Sequence, residues 1–275
     1  MKHYVEIFGK GKETIIFLPG TGWTGNFGMP IASALDEKFT MHMIDLPGIG
    51  RSEGLDGVVK MVDAANWLND YLEEKEIHKI NIIGHSLGGG IGLSFAYYYP
   101  EKVNKLILLD IGFAKIERFP VQMFGSVGYF LPLISVLHRI FGQKFLGNET
   151  KESQNIESKE ITDEEMKARI KSLGLKDSEF MRNAIANQPA SSLKGLSLLL
   201  ALYRFNMPRI LNKLKVPCLV LYGNRKESNV KVQNKIKRQV SRIKHSNISM
   251  KELNGGHYAH VSDVRAFDFI NSFLN

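Results

Sequence analysis

The sequence holds a single cysteine, Cys218, which excludes an internal disulfide and any cysteine-built metal cluster. It lies in the apolar run Pro217-Cys218-Leu219-Val220-Leu221, where a buried structural thiol is expected rather than a reactive one. No stretch reaches about 18 uninterrupted apolar residues, so no transmembrane helix and no stable membrane insertion is expected. The opening residues Met1-Lys2-His3-Tyr4-Val5-Glu6 hold no apolar run before a cleavage site, so no signal peptide is expected and a cytoplasmic protein is the default. Internal repeats and low-complexity tracts are also missing. With 44% hydrophobic and 23% charged residues, the composition is that of an ordinary globular protein rather than a disordered one.

What is present begins with charge. The formal net charge is +8, and part of the excess lies in Lys231, Lys235, Lys237, Arg238, Arg242 and Lys244. Val232, Ile236, Val240 and Ile243 recur through the same stretch at helical spacing. That pattern predicts an amphipathic helix with a solvated basic face, and no nucleic-acid partner is expected.

Short apolar runs at 14–18, 41–44, 79–83, 105–109, 218–222 and 248–253 predict strands. Amphipathic stretches such as 58–74 lie between several of them. Alternating strands and helices, with nearly continuous apolar strands, predict a mainly parallel sheet covered on both faces, an α/β fold. The alternation breaks once, for about a hundred residues between Ile111 and Asn212. There Thr162-Asp163-Glu164-Glu165 is a capping box, a leucine-rich helix is predicted over 191–205, and 119–145 is unusually apolar and aromatic. The expected organisation is a core of residues 1–112 and 213–275 with a helical cap, 113–212, inserted into it. The apolar cluster that includes Phe124, Tyr129, Phe130, Leu131 and Leu133 is expected to wall a lipophilic pocket.

The chemistry-bearing segment is Ile82-Ile83-Gly84-His85-Ser86-Leu87-Gly88-Gly89-Gly90. An apolar strand runs into Gly-x-Ser-x-Gly, and a helix follows through Ile91, Leu93 and Phe95. Such a nucleophile elbow lifts the serine hydroxyl off the strand end, and the helix N-terminus behind it favours developing negative charge. Upstream, the strand at 14–18 ends in Pro19-Gly20-Thr21-Gly22. The N–H of Thr21 and that of Leu87 are the candidate oxyanion donors. A phosphate loop is not expected there, because the turn lacks the Lys-Ser/Thr ending of a P-loop. Late in the chain, the strand at 248–253 leads into Asn254-Gly255-Gly256-His257-Tyr258, which makes His257 the candidate base ahead of nearby His260.

These segments resemble the α/β-hydrolase superfamily over nearly the whole chain. Asp45-Leu46-Pro47-Gly48-Ile49-Gly50-Arg51-Ser52 matches a family turn in which Asp45 orders the loop, and Tyr99-Pro100-Glu101-Lys102-Val103 matches the link after the nucleophile helix. Pro19 departs from the family, which commonly has histidine before the oxyanion glycine. The resemblance implies an eight-stranded, mostly parallel sheet with helices on both faces and a four-helix cap. It also implies acyl transfer through an acyl-serine on Ser86, with no metal or organic cofactor. Its commonest acid position falls in Gly223-Asn224-Arg225-Lys226, where this chain has lysine. Asp110, closing the strand at 105–109, is the preferred triad acid, and Glu227 is the alternative. The expected partner is a small or lipophilic carboxylic ester, handled by a monomer or homodimer. Carbon–carbon bond hydrolysis, cofactor-free perhydrolysis and ligand sensing by a hydrolase-like pocket are the other readings.

Overall fold

A computed structural model describes residues 1–147, 161–189 and 192–275, without the side chains of Gln122 and Met123. Seven strands form one sheet: β1 (Val5–Phe8), β2 (Glu13–Leu18), β3 (Phe39–Ile44), β4 (Ile80–His85), β5 (Val103–Leu109), β6 (Cys218–Gly223) and β7 (Ile248–Leu253). Their order is β1-β3-β2-β4-β5-β6-β7. The edge strand β1 pairs antiparallel with β3, and every other pairing is parallel. The expectation of eight strands is therefore corrected to seven among the described residues. Six of the seven are the six apolar runs. The seventh, β1, has four residues and a partly exposed edge position, which leaves no apolar run to announce it.

Alternation along the strands builds two cores. Ile16, Leu18, Ile82, Leu106, Leu108 and Val220 point to the face covered by α2 (Met61–Glu74) and α3 (Ser86–Tyr98). Their neighbours Ile15, Phe17, Ile83, Ile107, Leu109 and Leu221 point to the other face, with α1 (Met29–Leu35). This two-sided burial is why the central strands read as continuous apolar runs rather than as alternating ones.

Between β5 and β6 the described residues hold helices and turns only: α4 (Val121–Phe124), α5 (Leu131–Phe141), α6 (Asp163–Ser172), α7 (Glu179–Ala186), α8 (Leu193–Arg204) and α9 (Met207–Leu211). The capping box forms at α6, where Thr162 Oγ1 accepts from Glu165 N at 3.3 Å and Glu165 Oε2 accepts from Thr162 N at 2.9 Å. At α8, Ser192 Oγ caps the helix by accepting from Gly195 N at 3.1 Å. Leu198, Ala201 and Leu202 of α8 are buried in the same core as α2 and α3, so the last part of the insertion packs into the main core. The basic stretch forms α10 (Val230–Val240), with Ile236 buried and its cations toward solvent. Two further helices, α11 (Ala259–Ser262) and α12 (Arg265–Leu274), close the chain; Ala266 and Ile270 of α12 join the core on the α1 side.

The apolar cluster in 119–145 is divided: Leu131 is buried and Phe124, Ile134 and Leu137 are half-buried, whereas Tyr129, Phe130, Leu133 and Val136 are exposed. The side chain of Met123, which belongs to the same cluster, lies outside the described residues.

Close backbone approach sets the join between β4 and α3. A Cβ on Gly84 would stand 2.6 Å from Gly89 Cα and 2.8 Å from Gly88 O. Gly84→Ala is therefore expected to cost about 1–3 kcal/mol of stability through overpacking against a backbone that cannot yield. Urea denaturation followed by circular dichroism reads this directly. An unchanged midpoint would show that strand and helix are not so closely joined.

Candidate active site

Three strand ends meet at the carboxyl edge of the sheet, where parallel α/β sheets place their ligands. Ser86 follows β4 and opens α3, with φ at +50°. This left-handed conformation costs a non-glycine residue about 1 kcal/mol or more and persists only where the surroundings enforce it. Gly88 N donates to Pro19 O at 3.0 Å, tying the turn after β2 to the first turn of α3. The position of Pro19 contributes its carbonyl, an interaction that does not depend on the side chain, so the departure there leaves this tie intact.

Gly20 lies against the elbow. A Cβ there would stand 2.7 Å from His85 Nδ1 and 3.3 Å from Ser86 Cβ, so glycine is required chiefly to leave room for the His85 ring. Thr21 is exposed in the same turn. Leu87 is the second residue of α3, a position whose N–H has no intrahelical acceptor. Gly20-Thr21-Gly22-Trp23-Thr24-Gly25 has the spacing of a dinucleotide-binding Gly-x-Gly-x-x-Gly, so a reading of this turn as lacking that pattern is corrected. The structure gives it another use. Gly25 N donates to Asp45 Oδ1 at 2.8 Å, and a Cβ on Gly25 would strike the Met43 carbonyl at 2.5 Å. Asp45 also accepts from Arg51 N at 2.9 Å and Arg51 Nε at 3.0 Å through Oδ2, so it orders its loop as expected.

Asp110 ends β5 at φ +51°, and its side chain is only 3% exposed. Oδ2 accepts from His257 Nδ1 at 2.7 Å. Arg225 binds both oxygens, Nη1 to Oδ1 at 3.2 Å and Nη2 to Oδ2 at 2.5 Å, while Gly223 N donates to Oδ1 at 2.9 Å. Four donors satisfy a carboxylate that would otherwise be costly to bury. The structure thus brings Asp110 and His257 together. Glu227 is exposed, and His257 Nδ1 is already engaged. Arg225 was missed by sequence reasoning. Its signal was the family's acid loop: where the acid is absent from Gly223-Asn224-Arg225-Lys226, a cation reaches the acid displaced to Asp110. Arg225 too is left-handed, at φ +49°, so three of the four left-handed non-glycine residues among those described lie in this site.

Behind His257 stands a layer of rings. His85 lies 4.7 Å from His257 and 4.5 Å from His260, centroid to centroid, and Tyr258 is 5.2 Å from His85. His85 Nε2 donates to the His257 carbonyl at 3.2 Å, which fixes His85 in its Nε2–H tautomer. His85 Nδ1 and both nitrogens of His260 are buried without a partner. Burial, then neighbouring His260 and His257, hold His85 well below the usual imidazole range, and burial followed by His257 pushes His260 down to about 3. Burial pushes the Tyr258 phenol up despite the hydrogen bond from Trp23 Nε1 at 3.2 Å. His260 is thus a neutral packing ring. Among the described residues no hydrogen bond joins the Ser86 hydroxyl to His257. Free-enzyme geometry of this kind often tightens only with substrate.

The family model for the alpha/beta hydrolase fold matches residues 13–264, and the chain belongs to that family. Among individual relatives, it is 31% identical over 123 residues to a Pseudomonas putida protein named 2-hydroxy-6-oxononadienedioate/2-hydroxy-6-oxononatrienedioate hydrolase 1, covering 42% of each chain. Matches to the curated relatives span between 31% and 42% of their length. An enol-lactonase from Burkholderia xenovorans LB400 superposes with a TM-score of 0.66 at 18% identity, over 99% of this chain and 96% of that one. A thermophilic esterase from Thermogutta terrifontis superposes at 0.63 and 20% identity, over 99% and 92%. At such identities the likeness is one of fold.

Two measurements test the site. Asp110→Asn keeps the shape of the side chain but loses the orienting charge, and is expected to lower kcat by roughly 10³–10⁴. Glu227→Gln is expected to change kcat by less than about tenfold. A large loss in Glu227→Gln with a near-normal Asp110→Asn would reverse the assignment. The second test is linkage. His85 and His260 resist protonation in the fold but accept protons when unfolded, so the unfolded state binds more protons below the ordinary imidazole range. Stability should therefore fall as pH drops below about 6.5, by about 1.4 kcal/mol per pH unit for each ring. A flat profile between about pH 6.5 and 4.5 in urea melts would contradict the buried neutral layer.

Proposed function

We propose that the protein is a serine hydrolase that cleaves small carboxylic esters through an acyl-serine, with Ser86 as nucleophile, His257 as base and Asp110 as the acid that orients it. The hydrogen bond from His257 Nδ1 to Asp110 Oδ2, at 2.7 Å beside the elbow of Ser86, carries this reading. With Nδ1–H held by the carboxylate, Nε2 is the free acceptor of the imidazole. Ser86 Oγ attacks the carbonyl carbon while Nε2 takes its proton. The N–H groups of Leu87 and Thr21 receive the developing oxyanion. Collapse breaks the ester C–O bond, and the alcohol leaves with the proton from His257. A water molecule, deprotonated by the same nitrogen, attacks the acyl carbon, and the acid and free Ser86 are released. Asp110 stays ionised throughout and stabilises the imidazolium. Neither a metal nor an organic cofactor is needed for this sequence of steps.

Carbon–carbon bond hydrolysis on the same three residues is the second reading, favoured by the name of the Pseudomonas putida relative. Fold alone does not separate the two, because one scaffold hosts many chemistries. A ligand-sensing role is less well supported, since strain is retained at Ser86, Asp110 and Arg225 together.

A fluorophosphonate probe is expected to label the wild-type protein at Ser86 alone, and Ser86→Ala should lose turnover of a chromogenic short-chain ester by several orders of magnitude. Comparable labelling of Ser86→Ala would sink the assignment of the nucleophile. Rapid turnover of a 2-hydroxy-6-oxo-dienoate with none of any ester would favour the second reading.

A further inference from the structure

Helix α5 is built inside out. Its inward stripe is Leu131, Ser135 and His138, all buried. Leu133, Val136 and Ile140 are exposed, at 57%, 50% and 66%. With the half-buried Leu137, they occupy the i, i+3, i+4, i+7 positions of one helical face. Phe130 precedes this face and Phe141 follows it, both about as exposed.

The orientation is enforced from the polar side. Ser197 Oγ donates to Gly57 O at 3.1 Å and lies 3.0 Å from His138 Nε2. Since that hydroxyl proton is used, His138 Nε2–H donates to Ser197, which leaves Nδ1 to accept from Arg204 Nη1 at 3.5 Å. Arg204 also donates to Ser135 Oγ at 3.4 Å and Val59 O at 2.9 Å. Turning the helix to bury its apolar face would break this buried network and leave its members unpaired. The outward apolar face is therefore specified by the sequence, and monomeric surfaces rarely carry a contiguous patch of this kind without a partner.

Charge says what the partner is. From Arg118 to Gly147 the chain carries Arg118, Arg139 and Lys144 and no aspartate or glutamate. All three cations are exposed, and the Arg118 guanidinium stands 5.5 Å from the Phe119 ring centroid. Tyr129 supplies an amphipathic ring of the kind found at membrane–water interfaces, and Phe119, Phe130 and Phe141 supply exposed apolar rings of the kind that interfacial helices bury. A second copy fits poorly, because every copy brings the same cations to the same face. Residues 148–160 contain one aliphatic residue, Ile156, and so offer almost no apolar surface to cover the helix.

We propose that the outward face of α5, with its flanking aromatics and Arg118, Arg139 and Lys144, docks the protein peripherally on an anionic lipid surface. The apolar side chains enter the headgroup boundary while the cations meet the lipid phosphates. Among the described residues no helix is long and apolar enough to cross a membrane, so the docking proposed is peripheral.

Co-sedimentation of the full chain with vesicles tests this. Wild-type protein is expected to bind vesicles of phosphatidylcholine mixed with phosphatidylglycerol, and to bind phosphatidylcholine alone far more weakly. Arg139→Ala with Lys144→Ala should weaken the anionic binding about 25-fold, roughly fivefold for each cation removed. Leu133→Gln with Ile140→Gln, both exposed and both good helix formers after the change, should weaken it by at least about tenfold while leaving the thermal midpoint unchanged. Equal binding to both vesicle types, no binding to either, or full binding by the glutamine pair would each overturn the proposal. So would a wild-type dimer, seen by sedimentation velocity, that the glutamine pair converts to a monomer without any lipid binding, since the occupant would then be a second copy.

Discussion

The buried carboxylate of Asp110 is the constraint on which the rest of the site depends. It stands at the end of β5, yet it accepts from the backbone of β6 at Gly223, from the side chain of Arg225 in the next turn, and from His257 beyond β7. One ionised group in a dry position therefore fixes three successive connections at the edge of the sheet. A charge that is almost wholly removed from water must be matched by donors, and the donors available are the parts of the chain that the site needs held in place. The strained backbones at Asp110 and Arg225 are what bring this arrangement into reach.

Around that carboxylate the protein excludes competing charge. His85 and His260 are kept neutral by burial, and the His85 ring packs against both His257 and His260. The carbonyl of His257 accepts from His85, so the backbone of the proposed base is held from the elbow of the proposed nucleophile itself. Gly20 then leaves room for His85, and this links the proposed oxyanion turn to the same layer. Sheet register does the rest, since β4 and β5 run parallel with His85 opposite Leu109, which brings Ser86 and Asp110 to neighbouring strand ends.

The insertion between β5 and β6 follows a different logic. Its final helix, α8, contributes Leu198, Ala201 and Leu202 to the main core, and the same helix carries Ser197 and Arg204, which satisfy the inward polar stripe of α5. A helix whose polar groups are satisfied inside presents its apolar groups outside, whatever that surface then meets.

The sequence by itself determined the sheet's central strands, the elbow and the family. Two-sided burial demands uninterrupted apolar runs, and the turn at Ser86 demands glycines at fixed offsets, so both are local and visible. It also marked Asp110 and His257 as candidates, because each closes or follows such a run. Only the tertiary structure decided which acid meets His257, since Asp110 and Glu227 are both acidic residues near a strand end and differ in burial and direction. Arg225 was invisible for the same reason: its partner lies 115 residues away. The direction of the apolar face of α5 was likewise open, because periodicity states that a helix has an apolar face but not where that face points. That direction was set by hydrogen bonds from Ser197 and Arg204, which belong to a helix about sixty residues further along the chain.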